Sequence, residues 1–164
     1  MRYLILISSL LITAYGFPNR APNDKFHNHS SNIDTSKYAM FKLEDYPSAF
    51  DKGDKPAILS KEDMDQVEDI IDKEIAKINK AFKKSQHTKF NYVGNPQKYY
   101  KQVIPVINIK GEKVVWVNCL CTVSNEHDWK TRLIGILDGG SCYFNCKVNL
   151  NKNKLFALIV NGVD

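Results

Sequence analysis

The residues of this chain whose types and spacing could do chemistry are its four cysteines. Cys119 and Cys121 lie two apart in one apolar run, and Cys142 and Cys146 lie four apart in another. Both separations are even, so on β-strands each pair points to one face. The thiols could be bridges, metal ligands, a nucleophile or core filler. A nucleophile would be Cys142, with His127 as its base and Asp128 as the orienting carboxylate. Yet Cys142 reads as an inward-facing strand residue, not one at a helix N-terminus that would stabilise a thiolate, and His127-Asp128 reads as a loop pair. C-x-C and C-x3-C on flat strands lack the turn geometry of a zinc knuckle, so neither a metal nor a cofactor is expected.

Bridges depend on the order of the strands. Residues two apart in one strand are separated by about 6.5–7 Å, a poor fit to a disulfide. A bridge between strands needs neighbours, and a simple meander would put a third strand between the two cysteine runs, about 10 Å of separation. That expectation favours four free, buried thiols acting as small hydrophobes. A different strand order would reverse it.

The elements that must position these residues follow from periodicity. Ser60 and Asp63 form a capping-box pattern before a stripe of Met64, Val67, Ile70, Ile71, Ile75, Ile78 and Phe82 at helical spacing. Acidic residues lie early and lysines late in this helix, matching its dipole. The period then changes to two. Strands are expected at 101–109, 112–123, 131–137, 141–150 and 154–160, with Pro105 marking an edge or a bulge and Asp138-Gly139-Gly140 a hairpin turn. The whole is an α+β fold: one amphipathic helix packed on a curved antiparallel sheet of four to five strands.

Face by face, Val115, Val117, Cys119, Cys121 and Val123 alternate into the core, as do Cys142, Phe144, Cys146, Val148 and Leu150. All four cysteines therefore face the helix stripe. The opposite face carries Trp116 and Tyr143, and with Tyr100 these could form an aromatic surface for a small ligand or a protein. The alternative is that the preceding segment, with Phe41, Tyr46 and Phe50, covers that face.

The chain has 164 residues and a formal net charge of +5. Residues 1–16 read as a signal peptide: Arg2, an apolar run from Leu4 to Ala14, then Ala14-Tyr15-Gly16. Its removal would leave about 148 residues, one domain with one core, secreted or periplasmic and without a membrane anchor. Residues 17–55 are polar and proline-bearing and read as a flexible lead, leaving 56–164 as the domain. Asn28-His29-Ser30 is a glycosylation triplet. Lys73, Lys77, Lys80 and Lys84 share a helix face and precede Lys89, Phe90 and Tyr92, a mix that can bind single-stranded nucleic acid. Arginines are nearly absent and the leader directs export, so a solvated helix face is expected and no nucleic-acid partner.

Ile107 to Cys121, Trp129, Asp138-Gly139-Gly140-Ser141-Cys142-Tyr143-Phe144, Asn149-Leu150 and Asn161-Gly162 together look like a pattern in small exported bacterial proteins, especially of Bacteroidetes. The order of elements also resembles cystatin-like and NTF2-like rolls. The first resemblance implies export and no particular activity. The cystatin resemblance would imply protease inhibition through a Q-x-V-x-G hairpin, but Gln102-Val103-Ile104-Pro105-Val106 lacks the glycine and sits at a strand start. The expected function is an exported, non-catalytic binding domain. The alternatives are a small cysteine-dependent hydrolase or redox protein and a cystatin-like inhibitor.

Overall fold

A computed structural model describes residues 35–85, 92–123 and 126–162. The chain divides into two compact units, residues 1–30 and 31–164, and every described residue belongs to the second. The leader and the glycosylation triplet lie outside the described residues.

The fold is α+β, with one long helix on an open, mostly antiparallel sheet of six strands. These are β1 (Tyr38–Met40), β2 (Lys55–Pro56), β3 (Tyr100–Ile107), β4 (Lys113–Leu120), β5 (Tyr143–Asn149) and β6 (Lys154–Val160). Helix α1 spans Lys61–Ser85 and a short α2 spans Glu126–Thr131. The sheet runs β1-β3-β4-β5-β6, with β2 also on β3. Among these contacts only β1 on β3 is parallel.

Helix α1 begins where its sequence dictates. The Asp63 amide donates to Ser60 Oγ at 3.1 Å, and the Ser60 amide donates to Asp63 Oδ2 at 2.9 Å, a reciprocal cap. Val67, Ile70, Ile71 and Ile75 are buried against Val103, Val115, Val117, Cys119, Phe144, Cys146 and Val148. These sheet residues are the odd positions of β3 and β4 and the even positions of β5, as the alternation requires.

Two parts of the chain depart from expectation. The first is the segment read as a flexible lead. Its residues 38–40 are β1, and its last residue, Lys55, forms β2 with Pro56; both strands share the outer edge of β3. Pro105 lies at the gap between them. Its carbonyl accepts from the Ala57 amide at 3.1 Å on that edge, so its missing N–H falls where no ladder partner is required. Between β1 and β2, Phe41, Leu43, Ala49 and Phe50 pack on Ile104, Val106, Val114 and Trp116. The packing follows the alternative read from Phe41, Tyr46 and Phe50, while the polar composition of the segment concealed its two short strands.

The second is the strand expected over 131–137, which does not form. Residue 131 ends α2, and 132–137 run as irregular backbone across the second face of the sheet. Two buried amides hold it there. Gln102 Nε2 donates to the carbonyls of Trp129 and Arg132 at 2.6 and 2.7 Å, and its Oε1 accepts from the Ile134 amide at 2.9 Å. Asn118 Nδ2 donates to the Ile134 carbonyl at 2.8 Å. Side chains of the sheet thus take the bonds that a neighbouring strand would have taken. β4 then pairs directly with β5, placing Val117 opposite Cys146 and Leu120 opposite Tyr143.

Candidate functional site

Direct β4–β5 pairing decides the cysteine chemistry. Just beyond the ends of the two strands the Cys121 amide donates to the Cys142 carbonyl at 2.9 Å. The two residues form a disulfide, with their Cα atoms 5.0 Å apart. The expectation of four free thiols is corrected here, because the strand that would have separated the two runs is absent. Cys119 and Cys146 are free and buried. Burial pushes the Cys119 thiol up to about 12 and raises Cys146 as well.

The hydrolase constellation loses its nucleophile by the same finding, since Cys142 is bridged. Asp128 accepts from Arg132 at 3.1 Å along α2. The His127 side chain lies outside the described residues. The lysine face of α1 carries ion pairs within the helix: Lys77 to Glu74 at 2.5 Å and Lys73 to Asp69 at 3.9 Å. Lys84 and Lys89 have no described side chain.

The aromatic candidates on the second face divide. Trp116 and Tyr143 line one cleft of about 600 Å³. Tyr100 does not line it; its ring packs edge-on against Trp129, with centroids 5.2 Å apart. The cleft floor is the second face of β4 and β5, with Trp116, Asn118, Leu120, Tyr143 and Asn145. Its roof is residues 133–137, and its far wall is the end of β6 with Ile159 to Gly162. Tyr46 leans over Trp116, with centroids 5.1 Å apart and planes inclined at 56°. Trp116 is consequently 8% exposed, so the lead segment covers much of the surface that the alternation left open.

The roof is fastened at both ends. Gln102 and Asn118 hold its beginning, and Asn161 Nδ2 donates to the carbonyls of Ile136 and, at 3.3 Å, Asp138. The disulfide joins the two ends of the stretch from Cys121 to Cys142 that includes α2 and the roof. Beneath it a smaller chamber of about 170 Å³ shares Leu120, Ile134, Ile136 and Tyr143 with the cleft and reaches Trp129. The Trp129 indole N–H is buried without a hydrogen-bond partner among the described residues.

Charge is absent from the lining of the larger cleft, whereas the smaller chamber also meets Asp128 and Arg132. The described residues around the cleft are aliphatic, aromatic, glycine and asparagine, without one Asp, Glu, Lys, Arg or His. A quarter of the chain is charged, so the neutrality is local. Asn118 spends its amide N–H groups on the Gln102 Oε1 and the Ile134 carbonyl, and Asn161 donates to the Ile136 carbonyl. Asn145 lies on the cleft floor, half-buried, with none of its side-chain atoms in a hydrogen bond among the described residues.

The buried ionisable groups lie on the opposite face. Lys101, 1% exposed, meets Glu68 Oε1 at 2.9 Å and donates to the Pro96 carbonyl at 2.8 Å. Tyr38 donates its hydroxyl to the same Glu68 oxygen, and Lys101 sits 5.5 Å from the Tyr38 ring centroid. Burial first, and then the Glu68 carboxylate, push the Tyr38 phenol up. These groups clamp β1 and β3 to α1. Among the described residues no group of His, Cys, Asp or Glu could hold a metal, and no helix is long and apolar enough to cross a membrane.

Sequence reasoning offered Tyr46 as a cover for this face but missed Asn118, Asn145, Asn161 and the roof as cleft components. A signal existed for two of them. Asn118 and Asn145 stand at outer-face positions of otherwise well-formed strands, where an asparagine is a poor strand former. Comparison with protein-family models, with curated proteins and with solved structures finds no match. The fold and the cleft define the class: a helix-on-sheet α+β domain with a roofed, uncharged cleft on the sheet's second face.

Proposed function

We propose that this chain is an exported, non-catalytic binding domain, secreted or periplasmic, whose site is the roofed cleft containing Trp116 and Tyr143. The observation that carries the reading is the roof: a loop held between Trp129 and Asp138 by six side-chain amide hydrogen bonds, and closed by a disulfide, over an open volume instead of being packed shut. Pre-formed concavities of this size, largely apolar with a few polar groups, are the usual form of small-molecule sites. The disulfide agrees with an oxidising destination. The order of a long helix followed by antiparallel strands is compatible with the cystatin-like and NTF2-like rolls. Inhibition by a cystatin-type hairpin is disfavoured because Gln102 is buried and bonded to the roof.

Nuclear magnetic resonance of isotope-labelled protein with a mixed library of neutral and charged organic fragments tests the site. Shifts should cluster on Trp116, Tyr143, Asn145 and Asn161. Clustering elsewhere, or none at all, overturns it. Alkylation of the native protein tests the absence of catalysis. No thiol should react before denaturation, and reduction should add two hydrogens to the intact mass. One rapidly modified cysteine would restore the hydrolase reading.

A further inference from the structure

We infer that the cleft selects an uncharged, mainly apolar small molecule that carries one hydrogen-bonding group, met by the free amide of Asn145. The inference rests on the binding reading above and adds the class of ligand. Three features of the cleft support it. The lining holds no ionisable side chain among the described residues, so a charged ligand would give up hydration with no counter-ion to replace it. Leu133, Ile134, Ile136, Leu137, Ile159 and Tyr143 offer apolar surface on roof, wall and floor, while Leu120 and Trp116 are nearly buried beneath them. Asn145 is the one floor amide whose donors and acceptor are uncommitted, and an amide can serve either a carbonyl or a hydroxyl. The other amides are used by the roof, so a ligand that competed for them would have to open it.

The hollow at the opposite end of the sheet provides a contrast within the same molecule. It is lined by Asp51, Asp54, Lys110, Glu112, Lys147, Lys152 and Lys154 together with Phe50 and Ile109. Charged ligands have partners there and none in the cleft.

The test uses two dyes with one ring system. N-phenyl-1-naphthylamine is neutral, and 8-anilino-1-naphthalenesulfonate is the same skeleton with a sulfonate. Fluorescence titration of the full oxidised domain should show the neutral dye binding at least tenfold tighter. Asn145→Asp, which puts a carboxylate on the floor at nearly the same volume, should weaken the neutral dye at least tenfold. Ile159→Lys, at a rim position 59% exposed, serves as a second charge-insertion variant should the first fail to fold. Equal or tighter binding of the sulfonate, or a neutral dye indifferent to both variants, overturns the inference. Fragment shifts clustered in the cleft alongside that result would leave the binding reading standing and remove only the ligand class. Neither dye binding, with no fragment shifts in the cleft, would remove both.

Discussion

At the scale of single residues, Gly139 and Glu112 show how local geometry sets stability. Gly139 has φ 91°, and a Cβ there would lie 2.7 Å from the Tyr143 ring. Gly139→Ala therefore meets both left-handed strain and a clash with a cleft residue. A loss of about 1–2 kcal/mol from the backbone alone is expected, with more from displacing Tyr143; urea unfolding measures it, and an unchanged midpoint would refute it. Glu112 accepts from Lys152, Asn108 and Asn149 at 2.7, 3.1 and 2.8 Å. These bonds, Lys152 first, hold its carboxyl down at about 2. A depressed carboxyl contributes stability above its unfolded pKa and loses it as pH falls through its folded one. The contribution should be complete near neutrality and fade between about pH 4.5 and pH 2. Acid unfolding of Glu112→Gln should lack that part of the slope; an identical profile would show the network to be idle. The Glu112 network is not visible in the order of residues, because Asn149 and Lys152 reach it only across the sheet, whereas Tyr143 follows Gly139 by a single tight turn.

At the scale of elements, the roof and its disulfide form one device. The bridge joins residues 21 apart and encloses α2 and the roof. Chain-entropy reasoning gives such a loop closure about 3 kcal/mol. The double variant Cys121→Ser/Cys142→Ser should lose stability of that order and also bind cleft ligands more weakly, since roof order would then rest on the amides alone. Thermal unfolding and dye titration check the two parts. Stability lost with binding intact would show that the amides suffice. This element, like the lead segment, was misread from sequence. Residues 131–137 alternate plausibly for a strand, but strand formation needs an edge to pair with. Gln102 and Asn118 satisfy the backbone there, leaving β4 free to pair with β5. By contrast, α1 was legible down to its cap, because Ser60, Asp63 and the apolar stripe act on neighbours within one or two turns.

At the scale of the whole molecule, the sheet is covered on both faces, and the two faces are held differently. The helix face is sealed by aliphatic packing around one buried ion pair, Lys101 with Glu68. Removing one partner of such a pair leaves a charge without compensation. Lys101→Met should cost about 3 kcal/mol or more, and adding Glu68→Leu should recover much of it. A double-mutant cycle by chemical unfolding reads the coupling, and strict additivity would contradict it. The second face is closed only in part, by the 41–50 segment and the roof, and the cleft is the part left open.

The sequence by itself determined the helix with its cap, the residues that face it from the strands, and the burial of Cys119 and Cys146. All of these follow from periods of 3.6 and 2, which act over a few residues. Only the tertiary structure decided the strand order, and with it the Cys121–Cys142 bridge, the capture of 38–56 by β3 and the roofed cleft. The physical reason is that each depends on which backbone edge finds a partner. In this chain buried amides far apart in sequence, Gln102 and Asn118 against residues 129–134, removed one expected strand from that competition.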